Sequence, residues 1–96
     1  MRELAMVKVG YGNLVVASRV VAVLSPNSQP VRRLKEIAKN EHKLIDATQG
    51  RRTRSVIIMD SDHIILSSLL HDTIAQRIVN AHQKARPDGG DTGTDK

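Results

Sequence analysis

The sequence predicts a small α+β domain that is β-rich, with an antiparallel sheet of hairpins, one central helix and one C-terminal helix. The chain has 96 residues, a length that suits a single domain. Hydrophobic residues make up 40% and charged residues 26%, which is ordinary for a globular protein. Most apolar residues fall in short β-branched runs between turn-forming residues, a pattern typical of strands. We assign residues 1–86 to this one domain.

The N-terminal quarter is predicted to contain three strand-like runs, over residues 4–9, 14–17 and 20–24. The turn Gly10–Asn13 separates the first two and needs a positive φ at one or more positions. Arg19 stands alone between apolar stretches. Because an unpaired charge is costly inside a sheet, we expect Arg19 either at a bulge or exposed and used.

The central helix is predicted to run from about Val31 to about His42, after a loop that Pro30 closes at the first helical position. Four apolar side chains recur at helical spacing on one face. They are Val31, Leu34, Ile37 and Ala38.

A short strand over residues 44–48 and a basic loop over 49–54 precede the clearest hairpin, whose arms are residues 56–59 and 64–66. Both arms are apolar on both faces, so both faces should be covered. In so small a chain, we expect a partner subunit to provide a cover.

The C-terminal helix is predicted to start near Thr73, which has capping-box spacing to Gln76. Its predicted apolar stripe is Ile74, Ala75, Ile78 and Ala81. Residues 87–96 are acidic, rich in glycine and short of apolar side chains, so we expect a disordered tail.

The charge balance indicates a polyanionic partner. Fifteen Lys and Arg residues against ten Asp and Glu give a net charge of +5. This favours nucleic acid or an anionic membrane surface, although a basic protein without such a partner remains open. Tyr11 is the only aromatic residue, so the chain cannot build a base-stacking platform. A duplex backbone contacted by Arg and Lys is the better expectation.

The sequence lacks the residues that several kinds of functional site require. The chain has no cysteine, which excludes disulfides, thiolate zinc sites and cysteine nucleophiles. The four histidines show no metal-ligand spacing, Gly10–Gly12 lacks the third glycine of a dinucleotide loop, and residues 60–63 have the composition of a turn. We therefore expect no enzyme activity, metal, cofactor or small-molecule ligand.

No apolar run approaches the about 20 residues of a membrane span, and no signal-peptide core is present, so we expect a cytoplasmic protein.

The strongest local signal is the run Gly50–Arg54, which places three arginines within four positions. Guanidinium groups so close repel one another unless an anion lies among them, and their planar donors suit phosphate oxygens. A solvated loop or intersubunit salt bridges remain the alternatives. Arg32 and Arg33 lie with Lys35 and Lys39 on a basic helix face, for which an ordinary solvated surface is the simpler interpretation.

The chain resembles the RemA-like extracellular-matrix regulatory proteins of bacteria over about residues 5–80. The segments that carry the resemblance are Val9–Asn13, Ser18-Arg19, Ser25-Pro26, Pro30, Arg32-Arg33 and, most specifically, the run Leu44–His63. Met6 is an alternative start, because the resembling region begins near it.

The resemblance implies a DNA-binding transcriptional regulator that activates genes for biofilm matrix and related functions. It also implies a fold of the LytTR type, a ring-shaped homo-oligomer and association with the nucleoid. By motif, the DNA-binding arginines of the family fall on Arg19, Arg51 and Arg52, while Arg32, Arg33 and Arg54 are nominated on charge and proximity. Arginines from successive subunits would contact phosphates or the minor groove of bent, A·T-rich duplex.

Two other classes stay open. One is an RNA-binding protein, which the lack of aromatic residues disfavours. The other is a structural homo-oligomer whose arginines form intersubunit salt bridges. A membrane-surface role is least favoured, because neither helix carries large apolar anchors.

Overall fold

A computed structural model describes residues 5–84, with side chains to Gln83, and shows the expected α+β class. The elements in chain order are β1 (Met6–Gly10), β2 (Asn13–Val16), a 3₁₀ turn (Ala17–Arg19), β3 (Val20–Leu24), α1 (Gln29–Asn40), β4 (Leu44–Asp46), β5 (Ser55–Met59), β6 (Ile64–Ser67) and α2 (His71–Lys84). The two helices, of 12 and 14 residues, contribute as much regular structure as the six short strands, so the described part is less β-rich than expected. The tail expected over residues 87–96 lies outside the described residues.

The strands form two sheets. β1 and β2 make an antiparallel ribbon, and the other four strands form a sheet in the order β3-β5-β6-β4. The expectation of an antiparallel sheet is wrong at one pairing, because β4 runs parallel to β6. The reason is topological: β6 returns from the β5–β6 hairpin into the space between β5 and β4, so β4 meets a strand that is not its sequence neighbour.

Both faces of the β5–β6 hairpin are covered, as the sequence predicts, but the chain's own elements do it. On one face, Ile57 and Ile65 pack in a cluster with β1, β2 and Ile74 of α2. On the other face, the buried Val31 and Ala38 of α1 pack against β5 and β6. A partner subunit is therefore not needed to bury this hairpin.

Both helices begin two residues earlier than predicted. α1 begins at Gln29, where the Ser28 hydroxyl accepts a hydrogen bond from the Val31 amide at 3.3 Å. α2 begins at His71, two residues before the predicted start, so Thr73 lies inside the helix and is not its N-cap. Gln76 donates to Asn80 Oδ1 at 3.2 Å, as expected of a helix interior.

The predicted apolar stripes are only partly buried. Leu34 and Ile37 of α1 are 37% and 53% exposed, and Ala75 of α2 faces solvent. Ile78 and Ala81 pack against the first cluster as expected. Among the described residues, no helix combines the length and apolar character that crossing a bilayer requires.

Candidate nucleic-acid interface

The basic loop predicted from the sequence is a well-anchored loop over residues 47–54, which we call the arginine loop. The Ala47 amide donates to the Leu66 carbonyl at 2.9 Å, and the Arg54 amide donates to the Ser67 carbonyl at 2.8 Å. The loop is therefore tied to β6 at both ends. Arg51, Arg52 and Arg54 are all exposed, so a fixed backbone displays three solvent-facing guanidinium groups.

The interior of the arginine loop is held by an Asp46–Thr48 turn. Asp46 Oδ1 accepts from the Thr48 amide at 2.9 Å and from the Thr48 hydroxyl at 2.6 Å. These bonds, first that of the hydroxyl and then that of the amide, hold the pKa of the Asp46 carboxyl below its ordinary value. Thr48 is buried, and its carbonyl accepts from the Arg51 amide at 3.0 Å. The Asp46–Thr48 turn, which we call the Asp46 clamp, is thus joined to the backbone of Arg51 by one hydrogen bond.

The turn inside the loop has left-handed backbone at two adjacent positions. Gln49 has φ 54° and Gly50 has φ 79°. A glycine adopts this conformation without a steric penalty, which explains why one precedes the arginines. The turn redirects the chain from β4 toward β5 and leaves Arg51 and Arg52 on the outer surface.

Arg32 and Arg33 lie at the same end of the four-stranded sheet as the arginine loop. Leu24, the last residue of β3, pairs with Val56 at the start of β5. The loop of residues 25–28 and the first turn of α1 therefore begin beside the point where the arginine loop enters β5. Both arginines are exposed, and the partial positive charge of a helix N-terminus adds to theirs. We call this end, with residues 25–33 and 47–54, the arginine end.

Arg19 lies at the opposite end. Val20 pairs with Met59, the last residue of β5, and the Asp60 amide donates to the Arg19 carbonyl at 2.9 Å. Arg19 Nη1 lies 3.5 Å from Asp60 Oδ1 in an exposed ion pair. We call this end, with Arg19 and the turn of residues 60–63, the hairpin end. The six residue-to-residue steps from Arg54 to Asp60 span about 20 Å of extended chain.

The structure thus divides the six predicted site residues into two groups. Five of them share the arginine end, and Arg19 stands apart. Arg19 is exposed and lies beside a register shift between Val20 and Ala22, so its position matches the expected bulge and the expected exposure. One subunit cannot bring Arg19 and Arg51 to the same phosphate group.

The electrostatic surroundings of the two groups also differ. Among the side chains of residues 5–83, Arg19 and Asp60 form the one Lys or Arg ion pair, and the His71 imidazole lies 3.3 Å from an Asp72 oxygen. The five guanidinium groups of the arginine end therefore have no carboxylate within 4.0 Å in this part of the chain. They are free to donate to an external anion.

The hydrogen-bonded Asp46–Thr48 turn was not predicted from the sequence. The spacing of an Asp two residues before a Thr, shortly before a glycine, is the signal of an Asx turn and could have identified it. The Asp60–His63 segment is a turn, as predicted, with Asp62 at φ 70°. Within residues 5–84, no group of three or more His, Asp or Glu side chains could hold a metal ion.

Comparison with known sequences shows that the chain is similar to proteins named as regulatory proteins. A relative from Syntrophobacter fumaroxidans is 56% identical over 77 residues, and the match covers 80% of this chain and 82% of the relative. A relative from Desulforudis audaxviator is 47% identical over 94 residues, and the match covers 97% of this chain and 99% of the relative. A third, from Nitratidesulfovibrio vulgaris, is 58% identical over 72 residues and covers 75% of this chain and 82% of the relative. Each is named as a regulatory protein.

The family profile described as extracellular matrix regulatory protein A-like matches residues 6–78. The chain belongs to this RemA-like family, as its sequence motifs predict. The names of its relatives suggest a regulatory role and are consistent with a protein that is not an enzyme.

Proposed function

We propose that this protein is a DNA-binding transcriptional regulator that activates matrix or related genes. In this proposal, a ring-shaped homo-oligomer presents arginines to bent duplex DNA. The observation that carries the proposal is the arginine end, where five exposed arginines from two separate segments have no carboxylate partner among residues 5–83. An uncompensated cluster of this kind is the electrostatic footprint of a polyanion partner.

Duplex DNA suits this surface better than a single strand. The guanidinium group offers planar, paired donors that match phosphate oxygens. With Tyr11 as the sole aromatic residue, the chain cannot hold unstacked bases on a row of rings. Contacts to a continuous phosphate backbone require only positive charge at regular spacing, which identical subunits would supply.

The homo-oligomeric part of the proposal is supported by unsatisfied surfaces. β3 and β4 are the two edges of the four-stranded sheet, and edge strands present backbone groups that can pair with another chain. Val21 on β3 and Ile37 on α1 are 65% and 53% exposed. One subunit offers few cationic contacts, whereas a ring multiplies them without new contacts per subunit. A likeness to the LytTR type of DNA-binding fold belongs to the same proposal.

Arg19 enters the proposal as a second contact point. Because Arg19 lies about 20 Å along β5 from the arginine end, it would contact a different phosphate group from those that Arg51 and Arg52 contact. Successive subunits around a ring would then present two rows of arginines to a curved duplex. DNA that bends easily would bind best.

The decisive experiment is a salt titration of binding to a long A·T-rich duplex. We expect a steep linear fall of log affinity with log salt for the wild type, and a shallower slope with at least tenfold weaker binding for Arg51→Ala/Arg52→Ala. Lys39→Ala/Lys43→Ala is the matched control, because it removes the same charge near the other end of α1. Light scattering on each variant should show an unchanged oligomer.

Three outcomes would overturn the proposal. Absence of duplex binding by the wild type at low salt would do so directly. Dissociation of the Arg51→Ala/Arg52→Ala variant would favour the structural-oligomer alternative, in which Asp60 and Asp62 of the hairpin end pair with a neighbour's arginines. Competition by duplex RNA that matches or exceeds duplex DNA would favour an RNA-binding protein.

A further inference from the structure

The only aromatic side chain of the protein lies at the arginine end. The turn of residues 10–13 closes the β1–β2 ribbon, and Tyr11 at its tip is 50% exposed. The Ser67 hydroxyl donates to the Val9 carbonyl at 2.7 Å, and the Ser67 carbonyl accepts from the Arg54 amide at 2.8 Å. Ser67 therefore joins the end of β1 directly to the end of the arginine loop.

The position of Gly10 gives the same placement by an independent contact. A Cβ atom at Gly10 would lie 3.9 Å from Leu69 Cγ and 4.0 Å from Ser68 Oγ. Both residues directly follow β6 at the arginine end. The Tyr11 turn and the arginine loop thus flank the same corner of the sheet.

The backbone at Tyr11 is one that a bulky side chain rarely adopts. Tyr11 has φ 53°, between Gly10 at φ 114° and Gly12 at φ 80°. The Asn13 side chain donates to the Gly10 carbonyl at 2.9 Å and helps hold the turn. Glycine or asparagine would fit φ 53° with less strain. Because an exposed tyrosine gains little from burial, folding alone does not explain this residue, and strained positions of this kind cluster at binding sites.

We propose that the Tyr11 hydroxyl donates a hydrogen bond to a phosphate oxygen of the duplex that contacts the arginine loop. The inference rests on the proposed DNA-binding function and adds an uncharged contact to it. Tyrosine is among the side chains that donate to phosphate oxygens. A neutral donor releases no counterion from the DNA, so its effect on affinity is independent of salt.

The test is Tyr11→Phe, which keeps the ring and the backbone conformation and removes only the hydroxyl. We expect duplex binding to weaken by about tenfold or more, in line with the loss of one hydrogen bond to a charged acceptor, with the salt slope of the wild type. Arg51→Ala/Arg52→Ala should instead lower the slope. The oligomer should keep its size in both variants.

A matched pair separates binding from backbone strain. Tyr11→Asn and His42→Asn each place asparagine at a left-handed position, since His42 has φ 61°, but His42 follows α1 and lies away from the arginine end. We expect neither variant to lose thermal stability. Only Tyr11→Asn should weaken DNA binding.

Intrinsic fluorescence gives a direct readout, because Tyr11 is the single tyrosine and the chain has no Trp. We expect duplex DNA to quench this emission to saturation, after correction for the quenching of free tyrosine amide by the same DNA. The quenching should occur over the same concentration range as binding measured by fluorescence anisotropy of labelled DNA.

The outcomes distinguish this inference from the function on which it rests. If the wild type does not bind duplex DNA, the proposed function fails. If it binds but Tyr11→Phe has wild-type affinity and the emission is unchanged, the Tyr11 contact alone is wrong. A change of oligomer size in Tyr11→Phe would also overturn it, by placing Tyr11 between subunits.

Discussion

The two ends of the four-stranded sheet display the same functional group in different surroundings. At the hairpin end, Arg19 lies 3.5 Å from the Asp60 carboxylate on a neighbouring turn. At the arginine end, Arg51 and Arg52 project from a loop whose backbone is bonded to β6 at both sides, with no carboxylate within ion-pair distance among residues 5–83.

This difference shows that a count of arginines does not measure the capacity to bind an anion. A guanidinium with a carboxylate neighbour must exchange one anion for another, so its net gain from a phosphate is smaller. A free guanidinium on a restrained backbone has no internal competitor and loses less backbone entropy on binding. The arginine end is therefore expected to dominate affinity, and the hairpin end to modulate it.

The largest effect on duplex affinity is expected from breaking the proposed homo-oligomer, because both ends of the sheet would then act from a single subunit. Ile37→Glu places a charge on the exposed apolar face of α1, where Leu34 and Ile37 lie one turn apart. We expect smaller particles by light scattering and a loss of duplex affinity of about 100-fold or more, because multivalency is lost.

Gln83→Glu is the control for Ile37→Glu, since it makes the same charge change at an exposed polar position of α2. An Ile37→Glu protein of unchanged size would show that this face of α1 is not the contact between subunits.

A smaller loss is expected from Asp46→Ala, which affects only the arginine end. It removes both hydrogen bonds to Thr48, and we expect the free energy of unfolding to fall by about 1–2 kcal/mol and duplex affinity to fall with it. Chemical denaturation and the same duplex titration measure the two effects. Thr48→Val, which removes only the hydroxyl bond, should give an intermediate loss.

The Asp46 clamp also predicts a pH dependence. Folding lowers the pKa of the Asp46 carboxyl from its ordinary value of 3.8. The ionised carboxylate therefore stabilises the fold fully above pH 3.8, and this stabilisation is lost as the pH falls through the lower pKa of the folded protein. The stability difference between wild type and Asp46→Ala should therefore shrink below about pH 3.8. Asp46→Asn, which keeps an acceptor without a charge, should lack this dependence; an equal acid dependence in both proteins would assign it to another group.

The smallest effect is expected at the hairpin end. Asp60→Asn removes the carboxylate that competes for Arg19, and because an exposed ion pair contributes about 0.2–1 kcal/mol, we expect duplex binding to tighten by at most about fivefold. Asp62→Asn is the matched control: it removes the same charge from the same turn, and asparagine tolerates the left-handed backbone of that position.

In an Arg19→Ala background, Asp60→Asn should have no more effect than Asp62→Asn. Weaker binding by Asp60→Asn in the wild-type background would instead make Asp60 a residue that positions Arg19 for DNA.

Local features were predictable because they depend on neighbouring residues. The turns of residues 10–13 and 60–63, the start of α1 near Pro30 and the β5–β6 hairpin all follow from side-chain size, φ preference and alternation over a few positions. The family motifs in the arginine loop were visible for the same reason. The predicted start of α2 was two residues too late, because the spacing of a capping box looks the same inside a helix as at its N-terminus.

What the sequence by itself determined is which residues form strands, helices and turns, and that the chain carries an excess of positive charge. Only the tertiary structure decided which charges meet. The parallel pairing of β4 with β6 joins residues 20 positions apart, and it carries the arginine loop to the end of the sheet where α1 begins. The antiparallel pairing of β3 with β5 sends Arg19 to the other end, beside Asp60. Such long-range pairings arise from the burial of two apolar faces at once, and no local pattern of residues encodes them.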